Sequence, residues 1–148
     1  MTFRAAGPAL ALSLALTAGA ATAGTVCALD KAIEVPLFHA AEASLMRGDF
    51  AGFFSVMQDN GLVDSNSNDV RTAIQSLRNL APQGFDFCRV TVQRHDVGGA
   101  MQEIVVFHAP GERFPLFLYL AAMSNGEKDE IMAFRVGFDF REAVDKLF

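Results

Sequence analysis

The sequence predicts an α+β domain: N-terminal helices pack on one face of a curved four-stranded antiparallel meander, and a short helix ends the chain. Between residues 85 and 140, apolar residues form four mostly alternating runs separated by short turns, which is typical of consecutive antiparallel strands. Between residues 36 and 81, apolar residues recur at helical spacing, which predicts three amphipathic helices. Helices gathered before an antiparallel sheet indicate the α+β class.

Residues with strong capping or breaking preferences mark where each helix begins and ends. Pro36 opens the first helix, because proline is tolerated in a first turn, and Gly48 ends it. Asp49 follows as a cap for the second helix. The polar loop at residues 64–69 caps the third helix, and Pro82 ends it.

The second helix carries an apolar face. Its members recur at spacings of three and four residues and are Phe50, Phe53, Phe54 and Met57. Such spacing is how a helix buries one face against a core, so we expect core packing. The same side chains are also candidates to line a pocket for a small hydrophobic ligand, and this alternative stays open.

A glycine pair at residues 98–99 predicts a tight hairpin between the first two strands, because both turn positions need a positive φ. Val97 then lies opposite Ala100, and this register sets Arg94 opposite Glu103. Opposite charges facing each other across a strand pair support the register. We therefore expect Glu103 in a surface ion pair with Arg94.

The third strand is apolar on both faces, so we expect it in the centre of the sheet with cover on each side. We place Val105 beside Leu118 and Tyr119 beside Arg135, because a one-residue slip would send the whole apolar set to the other face. The predicted core face consists of Cys88, Val90, Val92, Val105, Phe107, Leu116, Leu118, Leu120, Met132, Phe134, Val136 and Phe138.

The opposite face of the predicted sheet is unusually apolar for a surface without helices. Its candidate interface residues are Ile104, Val106, Phe117, Tyr119, Ile131 and Arg135. Contiguous exposed apolar patches mark interaction sites, and a patch that meets its own copy predicts a two-fold homodimer. A cation–π contact between Tyr119 and Arg135 is compatible with the register. The alternative is cover within the same chain by the C-terminal residues Val144, Leu147 and Phe148.

Residues 1–23 are predicted to form a signal peptide. Arg4 supplies a positive charge, residues 9–17 are apolar, and residues 21–23 form a small-residue cleavage site. The apolar run is far shorter than the roughly 20 residues that a membrane anchor needs. We expect cleavage near Ala23, a periplasmic or secreted location, and a single domain at residues 24–148 without a membrane span.

The processed chain would be acidic. Removing Arg4 leaves 11 basic residues of the original 12 against 17 acidic ones, a net charge of −6. Phosphate backbones and anionic membrane surfaces repel such a chain. We therefore expect no nucleic-acid partner.

Two cysteines, Cys27 and Cys88, occur in the sequence. An even pair in a small exported protein predicts a disulfide. The alternative is a redox or metal pair, which the sequence does not favour because it has neither a C-x-x-C motif nor a histidine at ligand spacing.

Motifs for catalysis or cofactor binding are absent from the sequence. It contains no G-x-S-x-G, no H-E-x-x-H and no glycine-rich phosphate loop. His39, His95 and His108 fall on different parts of the predicted fold and do not converge, so no metal site is predicted. We expect no catalytic residues, no cofactor and no enzymatic activity.

The order of elements and the helix break Leu-Met-Arg-Gly-Asp-Phe at residues 45–50 resemble the cone fold of the nuclear transport factor 2-like superfamily, over residues 36–140. The resemblance implies a sheet that curls around a pocket closed by the helices. Members include enzymes, ligand binders and non-catalytic dimer modules, so the resemblance implies a shape and not an activity. It carries over no site residue. A cystatin-like fold has similar parts but one principal helix.

Two classes of function follow from these residues. The first is an exported, non-catalytic binding or protein-interaction module that self-associates through a sheet face. The alternative is a carrier of a small hydrophobic ligand, held between the second helix and the sheet. A cone-fold hydrolase or isomerase is a third class, which the resemblance alone implies.

Overall fold

The computed structural model describes residues 27, 33 and 35–147, and the predicted signal peptide lies outside them. Three helices precede four strands and a fourth helix, and the antiparallel sheet has the order β1-β2-β3-β4. This arrangement confirms the predicted fold class. The elements are α1 Pro36–Met46, α2 Phe50–Asp59, α3 Asn68–Leu80, β1 Phe87–His95, β2 Ala100–His108, β3 Leu116–Ser124, β4 Asp129–Gly137 and α4 Phe140–Val144.

The break between α1 and α2 is a close crossing of two backbone segments. Gly48 has φ +73° and Gly84 has φ +86°, and a Cβ on Gly84 would lie 2.3 Å from the carbonyl oxygen of Met46. The same oxygen accepts a hydrogen bond from the Phe85 backbone N–H at 3.1 Å. Glycine at position 84 therefore lets the chain leading into β1 pass against the end of α1.

Side chains from α1 and α2 form the core with one face of the sheet. Phe38 and Phe53 are fully buried, and the Phe53 ring meets that of Phe134 edge-to-face at 5.8 Å. Burial of a side chain of this size stabilises the fold by about 2 kcal/mol. Asp49 caps α2 as predicted, because its carboxylate accepts the Gly52 N–H at 2.9 Å.

The registers of the later strands match the prediction up to a β-bulge in β4. Val105 pairs with Leu118, and Tyr119 pairs with Arg135, as predicted. Met132 has no partner in β3, and the pairing shifts by one residue there. The extra residue turns Ile131 into the core and leaves Met132 exposed. The prediction had placed Met132 in the core and Ile131 on the second face, and both placements were wrong. Phe138 was also assigned to the core and is exposed.

The predicted register of β1 against β2 was wrong by one residue. The hairpin closes with the Asp96 N–H donating to the Ala100 carbonyl, which sets Gln93 and not Arg94 opposite Glu103. A bulge at position 91 then shifts the pairing again. As a result Val92 lies on the second face and not in the core, while Cys88 and Val90 lie on the core face as expected.

Arg94 points away from Glu103 in this register. Its guanidinium pairs with Asp96 at 3.1 Å and donates to the carbonyl oxygen of Leu147 at 2.9 Å. The predicted Arg94–Glu103 surface ion pair was therefore wrong, because the two side chains extend from opposite faces of the sheet.

Candidate interaction surface

The C-terminal segment covers half of the second sheet face. Ile104 and Tyr119 are buried in a small cluster with Ala143 and Leu147, and the Tyr119 hydroxyl donates to the carbonyl oxygen of Lys146 at 3.1 Å. Burial raises the pKa of Tyr119, although a hydrogen bond from Gln102 opposes the shift. The premise that Ile104 and Tyr119 are exposed interface residues was wrong, because the chain covers them itself as the alternative expected.

Ile131 and Arg135 do not belong to an exposed apolar patch either. Ile131 is buried on the core face, where its backbone N–H donates to Asn60 Oδ1 at 2.9 Å. Arg135 does lie opposite Tyr119, but its guanidinium forms an exposed ion pair with Glu142 of α4. The C-terminal residue Phe148, which the alternative also invoked, lies outside the described residues.

The other half of the second face stays open and is apolar. Phe87 is 49% exposed and Phe140 is 42% exposed, whereas Val106 and Phe117 are half-buried. The Phe117 and Phe140 rings meet at 5.3 Å, and the Phe87 ring contacts that of His108 at 5.8 Å. We call these five residues the open patch. It keeps Val106 and Phe117 of the six predicted interface residues and adds three that the sequence analysis did not select.

The predicted pocket residues fill the space between the helices and the sheet. Phe50, Phe53, Phe54 and Met57 are all buried in the core. Phe54 also borders an apolar surface cleft of about 190 Å³ between α3 and the ends of β3 and β4. This volume is smaller than the several hundred Å³ of a typical small-molecule pocket. Its lining is completed by Ala73, Ser76, Leu77, Leu80, Leu116, Val136, Gly137 and Phe138.

Two carboxyl groups meet inside the core, a feature that the sequence analysis missed. Glu42 of α1 is 2% exposed and Glu103 of β2 is 3% exposed. Burial raises the pKa of Glu42 to about 9, with further contributions from a hydrogen bond to Glu103 and from its charge. Gln93 Nε2 donates to Glu103 Oε2 at 2.9 Å. The Glu42 carboxyl therefore keeps its proton at neutral pH, and an amide hydrogen bond from Gln93 holds the Glu103 carboxyl.

The sequence did contain a signal for this pair. Glu42 lies within the buried stripe of α1, one helical turn from Phe38 and next to Ala41, and Leu45 follows at the next turn. An acidic residue on the core face of an amphipathic helix needs a buried partner. Glu103 was not recognised as that partner, because the incorrect register placed it in a surface ion pair with Arg94.

The predicted disulfide is present. Cys27 and Cys88 are joined across a sequence separation of 61 residues, and Cys27 is buried. The Cys27 carbonyl oxygen also accepts the Val90 N–H at 2.9 Å. The chain at Cys27 is thus attached to β1 by a covalent bond and a backbone hydrogen bond.

Within the described residues, no group of three or more His, Cys, Asp or Glu side chains could hold a metal ion. In the same part of the chain, no helix is long and apolar enough to cross a membrane.

Comparisons of the chain with protein-family models, with curated proteins and with solved structures find no significant match. The function of this chain is therefore inferred from its own geometry.

Proposed function

We propose that the protein is an exported, non-catalytic interaction module that self-associates through the open patch. The observation that carries this proposal is the open patch, in which Phe87 and Val106 lie on the sheet face beside α4 and Phe140 of α4 packs on Phe117 at its edge. Aromatic residues on one contiguous surface are typical of the centres of protein interfaces. An interface that buries these side chains is stabilised, because removing apolar surface from water is favourable.

Charges at the two ends of the patch support a second copy of the chain as the partner. Arg89, Val106, Phe117 and Gly137 lie in one row across the four strands, a distance of about 14 Å. Arg89 is exposed at the β1 end, and Asp139 is exposed just beyond Gly137 at the β4 end. A two-fold axis parallel to the strands brings Arg89 of each copy toward Asp139 of the other, so the surface is self-complementary.

The position to test is Phe87, because it has the largest exposed fraction in the patch. Phe117 is less suitable, since it packs against Phe140 and its replacement would also disturb α4. Phe114 provides a matched control: it is an exposed phenylalanine in the loop between β2 and β3, outside the patch. The variants Phe87→Glu and Phe114→Glu therefore introduce the same charge at two exposed aromatic positions.

We expect light scattering to give a monomer mass for Phe87→Glu at concentrations where the wild type and Phe114→Glu are dimers. Far-UV circular dichroism should show that both variants stay folded, because both side chains are exposed at the surface and neither belongs to the core. A wild type and a Phe87→Glu variant of equal mass would refute the assignment of the interface.

Export is part of the proposal, with the disulfide as its support. A structural disulfide is typical of oxidising compartments outside the cytosol, and residues 1–23 have the composition of a signal peptide. Mass spectrometry of the protein from its native source should give a chain that begins after Ala23. A chain that still begins at Met1 would contradict export by this signal.

The non-catalytic assignment is supported by the burial of the most unusual titratable pair. Glu42 and Glu103 are almost completely inaccessible, whereas an acid–base pair must reach its substrate. The order of three helices and a four-stranded meander likewise supports the proposed relationship to the nuclear transport factor 2-like superfamily. That superfamily includes dimer modules of this kind.

A carrier of a small apolar ligand is the second candidate, which the apolar cleft beside Phe54 favours. Native mass spectrometry of gently extracted protein distinguishes the two functions. A carrier should arrive with a bound apolar molecule, and an interaction module should arrive as an unliganded dimer.

A further inference from the structure

Gln93 joins the buried carboxyl pair to the chain at Ile33. Its Oε1 accepts the Ile33 backbone N–H at 2.9 Å, and its Nε2 donates to the Ile33 carbonyl oxygen and to Glu103 Oε2, each at 2.9 Å. An amide nitrogen carries two hydrogens, so both are used and three bonds fix the orientation of the group. The position of Ile33 on β1 therefore depends on where the Glu103 carboxyl points.

One proton holds the two carboxyls together. Glu103 Oε1 is buried and has no hydrogen-bond donor among the described N–H and hydroxyl groups. Glu42 hydrogen-bonds Glu103, so we assign its carboxyl hydrogen to this oxygen. Loss of this proton would leave two buried negative charges side by side. In the described part of the chain, neither carboxyl forms an ion pair with a lysine, arginine or histidine that could compensate them.

The titratable side chain nearest to Glu42 along α1 is the half-buried His39, one helical turn before it. β3 presents the apolar Leu120 opposite Glu103, and β1 presents the uncharged Gln93. The nearest described titratable side chain on the same face of β1 is His95, which is exposed near the hairpin. Arg94 extends from the other face to Asp96.

We propose that the Glu42–Glu103 pair is a proton-controlled latch, which holds α1 on the sheet and keeps the chain at Ile33 docked to β1. When the proton leaves, the two carboxylates repel each other and need water, so α1 separates locally from β2. Glu103 then turns away from Gln93, and the amide of Gln93 loses the bond that orients it toward Ile33. Acid conditions close the latch and alkaline conditions open it.

The direction of the pH dependence follows from proton linkage. In the closed latch the pKa of Glu42 is raised from 4.5 to about 9, whereas in an open latch water solvates the carboxyl and its pKa returns to the ordinary value. Opening between these limits releases one proton, so the opening equilibrium constant rises with pH by up to about tenfold per pH unit. The stabilising contribution is complete below pH 4.5 and is lost as the pH rises toward 9.

Hydrogen exchange tests the latch at two backbone amides, Ile33 and Leu45 of α1. After correction for intrinsic exchange, we expect wild-type protection at both amides to fall progressively from about pH 5 to about pH 8. Glu42→Gln should abolish this pH dependence, because its amide can donate to Glu103 Oε1 but cannot ionise. Glu127→Gln, a matched change in an exposed turn, should keep the wild-type slope.

The pH dependence of protection in the wild type and in the variants of the two carboxyls decides the proposal. Protection that is independent of pH in the wild type would overturn it, as would the same pH dependence in wild type and Glu42→Gln. Glu103→Gln provides a second variant, which should make the pH dependence at Leu45 shallower without abolishing it, because the burial of Glu42, the largest cause of its raised pKa, remains. If Glu42→Gln were unfolded at about pH 5, the proposal would be overturned too, because a neutral side chain of the same size is what the closed latch holds at position 42.

Discussion

Removing the Cys27–Cys88 disulfide is expected to lower the free energy of unfolding by about 4 kcal/mol. The bond closes a loop across a separation of 61 residues, and cross-linking a loop of that length removes about 14 cal/mol/K of entropy from the unfolded chain. At 25 °C this corresponds to about 4 kcal/mol. The double variant Cys27→Ala with Cys88→Ala removes the cross-link without placing a hydroxyl at the buried Cys27 position.

The loss should be visible as a large shift in thermal unfolding. For a chain of this size each kcal/mol shifts the Tm by about 4 °C, so the double variant should melt roughly 15 °C below the wild type. Circular dichroism measures both transitions, and a reductant should lower the wild-type Tm toward that of the variant while leaving the variant unchanged. A variant within about 1 kcal/mol of the wild type would refute the reasoning, because the cross-link would then not restrict the unfolded chain.

Two further substitutions test local features by urea unfolding. Gly84→Ala should destabilise the protein much more than Gly126→Ala, because both glycines have positive φ but only at Gly84 would the Cβ strike backbone, 2.3 Å from Met46 O. The Gly126 change should cost about 1 kcal/mol from the left-handed conformation alone, and equal losses would contradict the close crossing. Tyr119→Phe removes the hydroxyl that bonds Lys146 O and should cost about 1 kcal/mol; an unchanged unfolding midpoint would show that this bond does not hold the C-terminal segment.

The helices could be predicted because single residues determine their ends. Proline at Pro36, the positive φ of Gly48 and the capping carboxylate of Asp49 each act within a few residues of the chain. Such local preferences do not depend on tertiary contacts. The apolar stripe of α2 was predictable for the same reason, since its spacing alone determines which side chains share a face.

The faces of the outer strands could not be predicted, because each depends on a β-bulge. One extra residue at Thr91 in β1 and one at Met132 in β4 reverse the alternation beyond them. Thr91 stabilises its bulge by donating its hydroxyl hydrogen to the Ile104 carbonyl at 3.0 Å. Nothing in the spacing of apolar residues indicates a bulge held by a side-chain hydrogen bond, so Val92 and Met132 were assigned to the wrong face.

The extent of the candidate surface could not be predicted, because the sequence allowed two arrangements of the second sheet face. The exposed sheet face and its intramolecular cover were both compatible with the apolar C-terminus. The structure shows that α4 and Leu147 cover Ile104 and Tyr119 but leave Phe87 and Val106 open. The boundary between the covered and the open part of the face depends on where α4 begins. Asp139 caps the start of α4, because its carboxylate accepts the Arg141 N–H at 2.8 Å.

Sedimentation equilibrium of the processed wild-type chain tests the central proposal most directly, because it measures the mass of the free protein without a substitution. Over a dilution series from high to low micromolar concentration, we expect a two-fold assembly that dissociates into folded monomers. The dissociation should become easier at high salt, since screening weakens the attraction between Arg89 and Asp139 of opposite copies. A single monomeric species throughout the series would contradict self-association through the open patch.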